Sequence, residues 1–400
     1  MVPFPKSVEK SVITGVAIVF SSVCLAVEPA AIEVGVRVGV VDIFPRLNLG
    51  TSYDSNFLQA SGNELDTFVT TINPAFQARA QSGNDTYTAS YQLTQGIVSA
   101  SSDDNYLDHD FDLQTSQALN GRNELSFGLG YAQSHEPRGT GLTRGNPEAV
   151  EAPIEFHVES AYGAYSYGAD SAQGNLNFNI GFDDTVYDNV RELTRGRDSE
   201  AFSFGTEFKY KIGGRTTAIL EFRSRTLDYV LDSTPQDNVD TRYLFGAEWD
   251  ATGKTSGFVK AGLAQKDFDN ADLVDASRFT WEVGVNYEWK THSTFEFSTK
   301  REPNETSGFG NFIDNESYQL GWNHEWVDRL NTSVSISYSD AVYDGVDIED
   351  QTTIFNASAT YNMRRWLDLR FDFRNTNVDS TADSNQFDQQ VTSITASLSL

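Results

Sequence analysis

The chain has 400 residues, and its 57 acidic side chains against 29 Lys and Arg give a formal net charge of −28. That balance leaves no basic footprint to meet phosphates, which excludes nucleic-acid binding. A mean hydropathy of −0.42, with no internal apolar run near the ~18 residues a spanning helix needs, excludes a helical membrane protein.

The composition suits a sheet with aromatic girdles: 27 Phe and 17 Tyr against 2 Met. At the N-terminus, Lys6 and Lys10 precede an apolar core from Ser11 to Leu25, and Cys24-Leu25-Ala26 offers a small-x-small cleavage site. This reads as a signal peptide over 1–26. Cleavage there removes Cys24, which rules out disulfides and thiolate chemistry in the mature chain. Residues 27–40 read as a short periplasmic lead-in, and 41–400 as a single barrel domain.

From Val41 onward the chain alternates. The first strand carries Phe44, Leu47, Leu49 and Tyr53, with Asp54-Ser55-Asn56 as its loop. Strands near 66–80 and 86–99 meet at Ser82-Gly83-Asn84-Asp85, and strands near 106–118 and 123–135 meet at Asn120-Gly121, a hairpin signal. A Pro/Gly/Arg-rich stretch from His135 to Pro153 follows, and a charged loop covers 188–199. Further tight turns fall at Ala172-Gln173-Gly174, Gly213-Gly214, Thr252-Gly253-Lys254, Thr291-His292-Ser293 and Arg364-Arg365.

The stretch 279–289 shows the pattern most fully. Phe279, Trp281, Val283, Val285, Tyr287 and Trp289 share one face, and Thr280, Glu282, Gly284, Asn286 and Glu288 share the other. Aromatics at both ends and valines between them describe a strand that faces lipid. Later strands repeat it: Val334, Ile336 and Tyr338 alternate with serines, Leu367 to Phe373 with Asp368, Arg370, Asp372 and Arg374, and the last strand ends at Leu400 where such strands commonly end in an aromatic. The expected fold is all-β: a closed antiparallel up-and-down transmembrane β-barrel of about 18 strands (16 as the alternative), with short periplasmic turns and long extracellular loops. Closure is required because a lipid-exposed edge would leave backbone groups unpaired. A soluble sandwich or propeller is the competing reading.

A barrel of this size leaves an aqueous lumen lined by the polar faces. The candidate lumen residues are Glu221, Arg223, Arg225, Arg242, Glu248, Glu282, Glu288, Asp368, Arg370, Asp372 and Arg374. They either tune permeation or neutralise one another in cross-strand ladders. His135, Arg138 and Arg144, in the stretch long enough to fold inward, are candidates for a constriction. Catalytic, cofactor and metal sites are not expected. The five histidines are scattered, and Asp108-His-Asp110-Phe-Asp112 lacks the Gly and Glu of a calcium loop.

The chain resembles the bacterial outer-membrane group described as "putative β-barrel porin 2" over nearly all its mature length. The resemblance rests on Tyr53-Asp-Ser-Asn-Phe57, Asp104-Asn-Tyr-Leu-Asp-His109, His135-Glu-Pro-Arg-Gly139, Glu248-Trp249 with Lys254-Thr255, and Met363-Arg-Arg-Trp-Leu-Asp-Leu369. It implies a barrel in the outer membrane of a Gram-negative bacterium, a conduit or accessory for exopolysaccharide export. Its implied partners are outer-membrane lipid and lipopolysaccharide, a polysaccharide permeant and a periplasmic export partner. A general diffusion porin and a structural or adhesive barrel without a channel are the alternatives. The net acidity favours a neutral or weakly charged polymer.

Overall fold

A computed structural model describes residues 35–169, 171–306 and 309–399. The expected signal segment, lead-in residues 27–34 and terminal Leu400 lie outside the described residues.

In chain order, the strands are β1 (Val36–Val38), β2 (Val41–Asp54), β3 (Thr67–Ser82), β4 (Asp85–Val98), β5 (Tyr106–Asn120), β6 (Asn123–Glu136), β7 (Ile154–Tyr167), β8 (Gly174–Tyr187), β9 (Ser199–Lys211) and β10 (Thr216–Tyr229). They continue as β11 (Asn238–Thr252), β12 (Thr255–Phe268), β13 (Ala276–Lys290), β14 (Ser293–Asn304), β15 (Ile313–Val327), β16 (Leu330–Tyr343), β17 (Ile348–Arg364), β18 (Leu367–Ser380) and β19 (Phe387–Ser399). Each strand from β2 to β19 pairs antiparallel with its sequence neighbours, and β19 pairs back onto β2 from Val391↔Asp54 to Ser399↔Arg46. The barrel therefore closes on eighteen strands. The short β1 folds back on the start of β2 (Val36↔Ile43 to Val38↔Val41), where β19 no longer reaches it.

The eighteen barrel strands, β2 to β19, run from 12 residues in β14 to 17 in β17. At ~3.3 Å per residue and a tilt near 40°, they span the ~25 Å apolar band of an outer-membrane barrel. Register fixes which face meets lipid, since a slip of one residue would turn every side chain over. Leu220, Tyr243, Phe245, Leu263, Phe279 and Leu320 are all more than half exposed, as lipid-facing side chains are when no lipid covers them.

Short turns join β3 to β4, β5 to β6 and β11 to β12, and Gly83 adopts φ +63 in the first of them. The opposite end carries the larger connections: 55–66, 99–105, 137–153, 188–198, 230–237, 269–275, 305–312, 344–347 and 381–386. Among the described residues only 137–153 is long enough to cross the barrel. Buried apolar side chains gather at this end too: Val69, Val98, Ile154, Tyr187, Leu227, Phe268, Ala276, Tyr343 and Val378. Each is near the outer end of its strand, so the loops pack down on the mouth.

Candidate functional site

Inside the barrel the wall has two chemical sectors. From β9 to β14 the inward faces carry closely spaced charges of both signs. Arg223 donates to Glu221 and to Glu282, 2.6 Å in each case, and Lys260 bonds the same two carboxylates at 3.0 and 2.5 Å. Arg242 bridges Asp240 and Glu302 at 2.9 Å each, and Lys209 reaches Glu248 at 2.8 Å. Lys266, almost fully buried, binds Asn238 at 2.8 Å and pairs with Glu305; Arg225 lies 3.8 Å from Glu305. Buried charges persist only when paired and hydrogen-bonded, and here each cation faces at least one carboxylate.

Across the middle of β15 to β17, between Glu325 at one end and Asp350 at the other, the inward face is uncharged. Ser317, Gln319, Gly321 and Asn323 on β15 register against Ser339, Ser337, Ser335 and Ser333 on β16. Those in turn face Thr352, Ile354, Asn356 and Ser358 on β17. The result is a lane of hydroxyls and amides, able to donate and accept together. At its periplasmic end the lane opens into a cavity of about 270 Å³ whose lining includes Asn323, Ser333, Ser358 and Asn362 together with the charged Glu325, Asp368 and Arg370.

A strap lies across the top of the lane. Residues 137–153 leave β6, cross the mouth and return to β7. Arg138 makes a bidentate pair with buried Asp104, at 2.7 Å from Nε and 2.6 Å from Nη2. Gly139 takes φ +85 directly against the Leu58 carbonyl, which a Cβ would overlap, so only glycine lets the strap seat here. Farther out, Arg144 Nη1 lies 2.9 Å from the Tyr343 hydroxyl and 2.8 Å from Asp350 Oδ2. In the closed ring β7 and β16 are nine strands apart in either direction. Arg144 thus docks on the wall opposite the strap's own root.

The neighbouring loop 188–198 is held by a second ion pair. Asp198 accepts from Arg191 Nη1 at 2.8 Å and from the Tyr187 amide at 2.9 Å. Burial alone would raise the Asp198 carboxyl, but Arg191 and the Tyr187 amide hold it below the ordinary carboxylate range. A depressed carboxylate stabilises fully above its unfolded value, 3.8, and the contribution is lost as pH falls through the lower folded value. Amide exchange across 188–198, corrected for intrinsic rate, should quicken on acidification below pH 3.8 and stay flat from pH 5 to 8. Exchange that stays flat below pH 3.8 would separate the loop's stability from the Arg191–Asp198 pair.

Residues 28–400 match the family model described as "Putative beta-barrel porin 2". The chain belongs to that family. A comparison with the curated proteins returns no match. Among solved structures, Pseudomonas aeruginosa OpdL is similar at TM-score 0.51 and 10% identity, over 91% of this chain and 99% of that one. Pseudomonas aeruginosa OprD is similar at TM-score 0.50 and 13% identity, over 93% and 98%. The apoprotein of the FrpB iron transporter from Neisseria meningitidis (F5-1 variant) is similar at 0.51 and 12%, over 86% and 62%. The chain spans 62% and 63% of the lengths of the two FrpB variants it matches. At such identities the likeness establishes the barrel fold.

In this porin-family barrel the eleven charged residues read from the polar faces all lie on inward faces. Glu221, Arg223 and Glu282 meet in one cluster, and Arg242 and Glu248 join pairs beside it. Arg225 leans to Glu305, and Glu288 is exposed near the periplasmic end of β13. On β18, Arg370 donates to Asp372 at 2.6 Å, while Asp368 accepts from Asn362 and Arg374 donates to Asn356. The interleaved signs there form one ion pair and two amide bonds instead of a continuous ladder.

His135 requires a correction. It lies within β6, not in the strap, which begins at Pro137. Its Nδ1 is 2.8 Å from Asp108 Oδ1 and its ring stacks on Tyr106 at 3.9 Å, so it belongs to the wall. Sequence reading missed Lys260, Lys266, Lys209, Glu302 and Glu305, and it missed Tyr343 and Asp350 as the strap's dock. Lys260 was readable, since it alternates with the outward Val259 and Ala261.

Proposed function

We propose that this porin-family barrel is an outer-membrane channel for neutral, hydroxyl-rich solutes, with 137–153 setting how much of the mouth is open. The uncharged lane on β15–β17 carries the reading. A sugar moving along Ser333, Ser335, Ser337 and their neighbours exchanges water hydrogen bonds for hydrogen bonds to uncharged wall side chains. An ion finds instead a charged sector whose members already satisfy each other.

Export of a polysaccharide, as the family resemblance implies, is the extension of the same reading to a polymer. A glycan chain threading the lane needs Arg144 to leave Asp350 and Tyr343, so strap release becomes a step of transport. A general diffusion porin shares the walls but has no use for the division into two sectors.

Liposome swelling tests the proposal. Barrels in proteoliposomes should admit a neutral disaccharide faster than gluconate or an amine of similar size. Equal rates for all three would point to the general porin, and no swelling with correctly folded protein would sink the channel.

A further inference from the structure

We infer that the lumen wall opposite the uncharged lane carries a platform for a pyranose ring, with the Tyr162 ring as its floor and Gln114 and Asp112 as its polar edge. The inference rests on the channel reading for its setting, since only a solute inside the lumen reaches this wall. Tyr162 is on the inward face of β7, nine strands from β16 and so across the barrel from the lane. The inward positions around it are glycines: Gly128 and Gly130 on β6, Gly181 on β8 and Gly205 on β9. Each is covered by a neighbour's side chain. A Cβ at Gly128 would overlap Cε1 and Cζ of Tyr162, so the ring lies across the glycine backbone instead of standing into the lumen. In the same way Ser160 Oγ leans over Gly130, Ser203 Oγ over Gly181 and the Asn179 amide over Gly205. The wall is paved here, with an aromatic ring laid against it and hydroxyls and an amide around the ring.

The groups beside the ring select the occupant. Tyr162 is partly exposed, and with one face on Gly128 its other face is open to the lumen. Gln114 on β5 registers against Gly128, and its amide hydrogen-bonds both the Tyr162 hydroxyl and Asp112. Asp112 registers against Gly130, and among the described residues it forms no ion pair, so its remaining lone pairs can accept from a solute. A pyranose has a flat face of C–H bonds and a rim of hydroxyls. The flat face covers an aromatic ring, while the rim bonds planar amides and carboxylates. Tyr162 supplies the first part, and Gln114, Asp112 and Asn179 supply the second. From β5 to β8 the platform spans about 14 Å at ~4.8 Å per strand, room for a disaccharide. A linear polyol offers the hydroxyls without the flat face.

Saturation-transfer NMR on the folded barrel in detergent tests this without requiring transport, with maltotetraose and sorbitol as probes. Maltotetraose should bind saturably, with the strongest transfer to its ring C–H protons, and sorbitol should bind about tenfold more weakly or not at all. Tyr162→Phe should hold the affinity within about twofold because the ring remains, and Tyr162→Ala should weaken it about tenfold, the effect of about 1.4 kcal/mol. Gly128→Val, which keeps the ring but drives it off the wall, should weaken binding in the same direction. Heat-modifiable electrophoretic mobility checks that each variant is folded. Equal binding of the two probes, affinity indifferent to Tyr162→Ala, or a glucosamine tetramer held more than about tenfold tighter than maltotetraose, as a wall acting by charge alone would hold it, would each overturn the inference. Ring-selective binding in a barrel that passes no sugar would refute the channel and leave the platform standing. Sugar passage without such binding would do the reverse.

Discussion

Arg144→Ala should release the strap and raise the open conductance of the channel. In the docked state Arg144 is the one strap cation that reaches Asp350, whose side chain is 2% exposed. Removing one partner of a buried pair leaves the other charge desolvated and unpaired, at about 3 kcal/mol or more. A shift of that size changes the ratio of released to docked strap about a hundredfold. Single-channel records should then show the larger conductance level most of the time, and limited proteolysis should cut within 137–153. Asp350→Asn should act in the same direction more weakly, because an amide still accepts from Arg144 and Tyr343. Unchanged conductance in Arg144→Ala, with cleavage of the strap enhanced, would separate the strap from permeation altogether.

Arg223→Met should destabilise the barrel by about 3 kcal/mol, because Glu221 and Glu282 are then left sharing Lys260. Glu221 is almost fully buried, so water cannot replace the lost guanidinium. Adding Glu282→Gln should restore most of the loss, since one carboxylate then balances one ammonium. Urea unfolding of the two single variants and the double variant in lipid vesicles closes a double-mutant cycle. Additive losses would mean that Arg223 and Glu282 do not act as a pair, whatever their separation of 2.6 Å. The cluster has a functional side as well. It ties β10, β12 and β13 together across the charged sector, and both of its cations, Arg223 and Lys260, are engaged by carboxylates.

Strand identity and facing were legible because a barrel writes its geometry locally. Each outward residue of 279–289 must be apolar and each inward one polar, whatever the neighbours are. The turns were legible for the same reason, since Asn120-Gly121 and Gly213-Gly214 need nothing distant to bend. The strap was half legible. Pro137, Gly139, Gly141, Gly145 and Pro147 mark a segment that cannot continue a strand, but its destination cannot be read locally. Arg144 and Tyr343 are 199 positions apart and meet only because the eighteenth strand closes on the first. The platform on β5–β8 is closer in sequence but no more legible. Gln114, Gly128 and Tyr162 are unremarked along the chain and become neighbours only through two successive strand registers.

The uncharged lane sits between these cases. The serines of β16 were visible as an alternation, but their significance depends on β15 and β17 presenting Asn323, Asn356 and Ser358 beside them. The two-sector wall follows from which strands are adjacent, and from the strap docking at the head of one sector.

The most direct test of the account is the conductance of the unaltered barrel in a planar bilayer while a neutral oligosaccharide is titrated into the chamber. The account predicts a small, steady conductance that the sugar interrupts in resolvable, concentration-dependent blocks, while an anionic oligosaccharide of equal length leaves it unbroken. Conductance that both sugars block alike, or that neither touches, would contradict a lane built for neutral solutes.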